Sequence, residues 1–283
     1  MKKKFSILAI CACLLGVMSI ALVGCGGSQS SSGSSASSDE ATSTAATTGS
    51  YTLVKDGTLT CVTEMGFAPF EYMEAGSTEP IGYDIDVANE VAKRMGLTCE
   101  FLPSQSFDSL VPTIKEGAKA DIAIAGITIN DERAKEIDFS DPYFSSNLAV
   151  IVKSDAGATL ESLNAEAMKV ACQTGTTGDA WIEENLTKAT KVPLADVAAG
   201  LAGVSTGSYN AYVIDLPVAE KYLKDFSDLT ILEKIATGEE YGIVVSKDNP
   251  ELTKAINKAL GEMKSDGTIA NLEAKWLSSG TAA

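Results

Sequence analysis

"DIAIAGITINDERAKE", residues 121–136, changes its pattern half-way. Ile122 to Ala125 is a short apolar run of the buried-strand kind, while Asp131 to Glu136 is polar and helix-forming, with Asn130 placed to cap it. A strand that runs into a helix through a brief loop is the unit of parallel α/β sheets. The preceding sequence repeats that unit. "TLTCVTE" (58–64) reads as a strand and "YDIDVANEVAKRMG" (83–96) as a helix. In the helix, Ile85, Ala88, Val91, Ala92 and Met95 fall at three-to-four spacing, and Gly96 is available as the C-cap. "LTCEFLP" (97–103) is the next strand, and Asp108 to Glu116 a helix stopped by Gly117. The prediction is a parallel sheet with helices on its faces.

The pattern restarts at Leu148. "LAVIVK" (148–153), "KVACQ" (169–173), "YNAYVIDL" (209–216) and "YGIVVS" (241–246) read as strands, and "DAWIEENL" (179–186) as a helix. Another helix begins at Pro217, and the terminal helices carry Leu252, Ile256, Leu260 and Met263 on one stripe. No internal sequence repeat is visible, so the chain reads as two α/β lobes in succession. Ligands of such sheets bind beyond the carboxyl ends of the strands, where loops enter helices.

The ends lie outside this fold. Lys2, Lys3 and Lys4 precede the apolar stretch Phe5 to Val23, the pattern of a secretory signal peptide. The stretch ends in Leu22-Val23-Gly24-Cys25, a lipobox-like arrangement in which Cys25 takes lipid and becomes the new N-terminus. Residues 26–50 are nearly all Gly, Ser, Ala and Thr, a flexible coil with a span of roughly 28 Å. The expected organisation is a lipoprotein signal over 1–24, a lipid-anchored linker over 25–50, and a folded body from about Tyr51.

Composition removes several function classes. The net charge of −16 becomes −19 without the leader's three lysines, which argues against nucleic acid as a partner. There is no histidine, so Ser-His and Cys-His catalysis is excluded for this chain alone, and the commonest nitrogen metal ligand is missing. Cys61, Cys99 and Cys172 are widely spaced and odd in number, the pattern of small buried residues and not of a disulfide framework or a zinc site. Neither a metal nor a cofactor is expected.

Only two arginines stand against twenty lysines, and Arg133 follows a strand end. Arginine offers a planar fork that matches a carboxylate; the plainer reading is a solvated helix residue paired with a neighbouring glutamate. Gly126 and Thr128 offer a backbone N–H and a hydroxyl beside it. "CQTGTTGDAW" (172–181) sets Gly175, Thr176 and Thr177 between a strand and a helix, a place for a small anion, and lacks the lysine of a phosphate loop. Asp215 ends a strand before a helix, as an N-cap or as a carboxylate awaiting a cation. Phe67 and Phe107 lie in strand-end loops as core plugs or as ligand platforms. Together these loops would suit a zwitterion, with Arg133 for its carboxylate and Asp215 for its ammonium.

The segments "GFAPFEYM", "GYDIDVANEVAKRMGL", "AGITINDERAKEIDFSDPYF", "QTGTTGDAW", "VIDLPVA" and "EAKW" resemble, in order, the family 3 solute-binding proteins of polar amino-acid ABC importers, in a lipoprotein form. The resemblance spans nearly all of residues 51–278. It implies a type II periplasmic-binding-protein fold, with lobe 1 over 51–147 and 239–283, lobe 2 over 148–238, and two hinge crossings between them. It implies that Arg133, Thr128 and the backbone of Gly126 hold the α-carboxylate, joined by Thr177 with Gly175 and Thr176. Asp215 would take the α-ammonium, Phe67 and Phe107 would sandwich the side chain, and Glu64 would face its far end.

The implied function is capture of a free polar amino acid, cationic or glutamine first, by a non-enzymatic monomer on the outer face of the cell membrane. Delivery would be to an ABC permease with its ATPase, as separate chains. A sensing module of the same fold, or an exported dehydratase using Glu64 or Asp215 as acid or base, are the alternatives.

Overall fold

The computed structural model describes residues 51–277. The signal segment, Cys25, the linker and the last six residues lie outside the described residues.

The first sheet takes its elements from both ends of this body. They are β1 (Thr58–Val62), the short pair β2 (Tyr72–Met73) and β3 (Pro80–Ile81), α1 (Tyr83–Arg94), β4 (Thr98–Phe101), α2 (Phe107–Glu116), β5 (Ile122–Ala123), α3 (Asp131–Glu136) and β6 (Asp138–Phe139). The second sheet is built from β7 (Phe144–Lys153), α4 (Leu160–Leu163), β8 (Lys169–Gln173), α5 (Thr177–Asn185), β9 (Thr190–Leu194), α6 (Val197–Ser205), β10 (Ala211–Asp215), α7 (Leu216–Tyr222) and β11 (Leu229–Tyr241). The chain then returns to the first sheet with β12 (Val244–Val245), α8 (Pro250–Ser265) and α9 (Thr268–Trp276). Each sheet with its helices forms one lobe.

The strand orders are β4-β1-β5-β12-β6 and β11-β7-β10-β8-β9. The predicted parallel pairing holds for β4-β1-β5 and for β10-β8-β9. Both sheets are nevertheless mixed, because β12, β7 and β11 run antiparallel to their neighbours. Of these, β7 and β11 are the strands through which the chain crosses between lobes. The two crossings pair with each other as one long ribbon: β11 pairs β7 from Leu229 opposite Lys153 to Tyr241 opposite Phe144. Its register shifts between Ile235 and Glu239, where Gly238 (φ 64°) donates its N–H to Asn147 Oδ1 on the other crossing at 3.1 Å. "YGIVVS", predicted as one strand, is divided here: Tyr241 ends the ribbon and only Val244 and Val245 enter the first sheet.

Packing follows the apolar stripes. Val87, Ala88, Val91 and Ala92 of α1 and Leu252, Ile256, Leu260 and Met263 of α8 are buried against the first sheet, each larger side chain contributing about 1.5–3 kcal/mol. α1 ends as its sequence suggests, with Gly96 in the left-handed region (φ 74°) and the Leu97 N–H returning to Ala92 O. Its start is the tightest point of the lobe. Gly82 has φ 136°, and a Cβ there would lie 2.0 Å from Phe70 O. That contact lets Asp84 N–H reach Phe70 O at 2.9 Å and points the Asp84 carboxylate inward. No helix among the described residues is long and apolar enough to cross a membrane.

Candidate functional site

The loops that follow β1, β5, β8 and β10 meet between the two sheets, joined there by Glu239 and Tyr241 of the ribbon. Arg133 stands at their centre. Asn130 caps α3 as predicted, accepting the N–H of Arg133 at 2.8 Å, and this fixes the backbone from which the guanidinium projects. The fork does not lie on a glutamate of its own helix. Nη1 donates to Thr128 O at 2.8 Å and Nη2 to Gly175 O at 3.0 Å, so one guanidinium binds a carbonyl of each lobe. It lies 5.3 Å from the ring centroid of Phe107, within cation–π range. Burial pulls its proton affinity down, and the carboxylates of Glu239 and Asp215 pull it back.

Two acidic clusters face this cation. Asp215 occupies the N-cap position of α7, yet its side chain makes no capping bond and turns into the cleft. Tyr241 hydroxyl donates to it. Glu239 accepts from the hydroxyls of Thr128 and Thr177 and stands against Asp215. Burial raises the pKa of both groups; the charge of Glu239 raises Asp215 further, whereas the hydrogen bonds Glu239 receives from Thr177, Thr128 and Asp215 oppose its own rise. At the far side, Glu64 accepts from Gln173 Nε2 through both oxygens, at 2.7 and 2.8 Å, again across the lobes. Burial pushes its carboxyl up to about 7 against the opposing pull of Gln173, with Asp196 and Asp108 adding to the rise. A groove of about 240 Å³ opens beside it, between Phe107 and Asp108 on one side and Gln173 and Leu194 on the other.

Three readings of the loops change in detail. The N–H of Gly126 is not free, because it donates to Asp84 Oδ2 at 2.8 Å. Gly126 is glycine for two further reasons: its φ is 53°, and a Cβ would lie 3.0 Å from Phe67 Cε1. In the other lobe the expected anion cradle is largely engaged. Gly175 N–H donates to Asp179 Oδ2 at 3.0 Å, and Thr176 caps α5, accepting from Asp179 N–H and donating to Gln173 O. The donor of that loop directed toward the cleft is the Thr177 hydroxyl. Phe67 lies buried against Phe70, ring centroids 5.9 Å apart, under Gly126; Phe107 lies at the start of α2 beneath Arg133.

Gln173, Glu239, Tyr241 and Tyr222 were not singled out in the sequence. Tyr222 hydroxyl donates to Gly66 O at 2.9 Å, a further tie between the lobes. For Glu239 the signal was its place beside Gly238, where a ribbon between lobes bends. Among the described residues no group of three or more His, Cys, Asp or Glu side chains is arranged to hold a metal ion. The Cys61 and Cys99 thiols lie 3.4 Å apart on neighbouring strands, and both they and Cys172 are unpaired.

This arrangement, with two sheets, a double crossing and convergent strand-end loops, accompanies a family match over residues 59–279. The chain belongs to the bacterial extracellular solute-binding proteins, family 3. Among its curated relatives, the lysine/arginine/ornithine-binding periplasmic protein of Escherichia coli (strain K12) is 32% identical over 226 residues, covering 76% of this chain and 85% of the relative. An ancestral arginine-binding protein, solved bound to arginine and also to glutamine, is 37% identical with a TM-score of 0.72, over 78% of this chain and 98% of that one. An ancestral amino acid-binding protein described as a precursor of cyclohexadienyl dehydratase is 35% identical with a TM-score of 0.73, over 78% and 96%. This solute-binding protein therefore has the type II periplasmic-binding fold. Proteins of its family are extracellular or periplasmic, bind free amino acids and work with a permease and an ATPase.

Proposed function

We propose that this solute-binding protein captures a free cationic amino acid (arginine, lysine or ornithine) by closing its lobes, and delivers it to an ABC permease. The observation that carries the reading is the charge of the cleft. Glu64, Asp215 and Glu239 are all buried there, and the one guanidinium among them, Arg133, faces Asp215 and Glu239. When the three carboxylates are ionised they outweigh Arg133 by two charges. Buried charge without a partner costs several kcal/mol, so the favoured ligand is one that brings a net positive charge. Glutamine leaves the imbalance as it was, and glutamate deepens it. The α-carboxylate is assigned to Arg133 with Thr128 and Thr177, the ammonium to Asp215, and the side-chain cation to Glu64, between Phe67 and Phe107. Gly126, Gly175 and Thr176 then serve as the backbone frame of the site, with Glu239 beside the ammonium.

Closure supplies the mechanism. Arg133 to Gly175, Gln173 to Glu64 and Tyr222 to Gly66 are bonds that an open cleft lacks. A ligand that contacts both lobes favours the closed form by its differential affinity, and the closed form is what the permease would read. Residues 51–147 and 239–283 would move against 148–238 about the ribbon at Asn147 and Gly238. Attachment through lipid on Cys25, with the 26–50 linker as tether, would hold the receptor at the membrane surface. Binding without chemical conversion fits a cleft that lacks histidine, and the relatives named for binding support it.

Titration calorimetry with L-arginine, L-lysine, L-glutamine and L-glutamate tests the reading. The expected order places the cationic pair first and glutamate last. Tightest binding of glutamate would overturn the charge argument, and heat from none of them would overturn the function.

A further inference from the structure

Beneath the ligand loop, lobe 1 buries two carboxyl groups against each other. Glu71 is 0% exposed, and neither of its carboxyl oxygens meets a donor. Asp84 is 0% exposed as well. Its Oδ2 accepts from Gly126 N–H and from Tyr143 hydroxyl, both at 2.8 Å, while Oδ1 has no donor. The orphaned oxygens therefore belong to two neighbouring groups that each lack the same thing. A proton removes the charge clash and pairs two of the three orphaned oxygens: protonated Glu71 donates O–H to Asp84 Oδ1, and the pair carries one negative charge instead of two.

The surroundings leave no other solution. The charged groups that act on Glu71 are Asp84 of α1, Glu64 beyond β1 and Asp215 of β10, all of them acidic. Around Asp84 stand Gly126 N–H, the Tyr143 hydroxyl and Glu71 itself. Tyr83, stacked on Tyr143 at 6.1 Å, gives its hydroxyl to Tyr143 O and not to either acid. Two ionised carboxylates in contact in this apolar core would each retain an uncompensated charge.

The pair also sits where it can act on the site. The Glu71 backbone closes the turn that carries Phe67, with Phe67 N–H donating to Glu71 O at 2.9 Å. Asp84 holds Gly126, two residues before the Thr128 carbonyl on which Arg133 rests. We propose that Glu71 is a positioning residue whose resident proton, hydrogen-bonded to Asp84, fixes the Gly126–Thr128 loop and so the seat of Arg133. The effect on ligand rests on the function proposed above; the proton itself does not.

The test compares the parent protein with Glu71→Gln and Glu71→Ala. Glutamine keeps the shape and supplies an N–H donor in place of the O–H; alanine leaves Asp84 Oδ1 orphaned. The infrared spectrum of the parent at pH 7 should contain, beside the contributions of Glu64 and Asp215, a protonated-carboxyl band that Glu71→Gln removes. Burial holds the Glu71 pKa well above its usual 4.5, so its contribution to stability is complete below that value and is lost as pH rises toward the folded-state pKa. Glu71→Gln should therefore flatten part of the decline of Tm with rising pH. For L-arginine, Glu71→Gln should bind within about threefold of the parent, and Glu71→Ala about tenfold or more weakly.

Absence of the band, or a Glu71→Gln variant as impaired as Glu71→Ala, overturns the proposal. So does a Glu71→Ala variant that binds and melts like the parent. If Glu71→Ala fails to fold, the band and the Glu71→Gln melting profile still decide it. Band and melting need no ligand, so a protein that keeps both signatures and binds no amino acid refutes the proposed function alone.

Discussion

Glu64 gives the most discriminating perturbation, which is pH. With its carboxyl pushed up to about 7 by burial, Glu64 is about 3% ionised at pH 5.5 and about three-quarters ionised at pH 7.5. A guanidinium needs the ionised form opposite it, whereas the carboxamide of glutamine does not. Binding of arginine therefore releases a proton from Glu64 at low pH, and its affinity should rise about 25-fold between pH 5.5 and 7.5 on this account alone. Titration of Asp215 and Glu239 against the ammonium affects both ligands alike and cancels in their ratio. The quantity to measure is the calorimetric Kd ratio of L-glutamine to L-arginine across that interval, in the parent and in Glu64→Gln. The ratio should climb about 20- to 30-fold in the parent and stay flat in the variant. The unliganded protein should show the opposite trend. A carboxyl raised from 4.5 to about 7 stabilises the fold below pH 4.5, by about 3 kcal/mol, and that contribution is lost as pH passes 7. A flat ratio in the parent would refute both the placing of Glu64 opposite the side chain and the preference for a cation.

Arg133→Lys keeps the charge and loses one of the two carbonyl bonds together with the face laid on Phe107. L-arginine should bind about 1–3 kcal/mol more weakly by calorimetry, with little change in urea stability. Tyr222→Phe removes the bond to Gly66 O that ties the lobes together; if closure forms that bond, the variant should raise the Kd about three- to tenfold without lowering the unliganded Tm. Gly82→Ala would set a Cβ 2.0 Å from Phe70 O at a φ of 136°, and should destabilise the protein by about 3 kcal/mol or more in urea denaturation.

The parts of this structure written in local patterns were readable in advance. α1, α2, β8 and the stripe of α8 follow apolar spacing, and Asn130 caps α3 because its side chain bonds only three residues away. β11 was not readable. It is a ribbon strand with exposed residues along most of its length and a register shift near Glu239, so neither alternation nor an apolar run marks it. The partners of Arg133 were hidden for another reason: they are backbone carbonyls, which every residue carries, and one lies in each lobe. Asp84 and Glu71 look like ordinary acids at a helix start and in a loop. Their burial together appears only once Gly82 packs on Phe70. Cys61 and Cys99 likewise meet through the register of β1 with β4, which spacing alone does not encode.

The central claim is that this cleft closes on the zwitterion of a cationic amino acid held by Arg133. A thermal-shift screen of the parent and Arg133→Ala against the twenty amino acids and ornithine tests it most directly, because a ligand that binds only the native state raises Tm by mass action. The account predicts a rise with arginine, lysine or ornithine that exceeds any other and that Arg133→Ala abolishes. A parent that responds to no amino acid, or an Arg133→Ala variant that responds as the parent does, would contradict it.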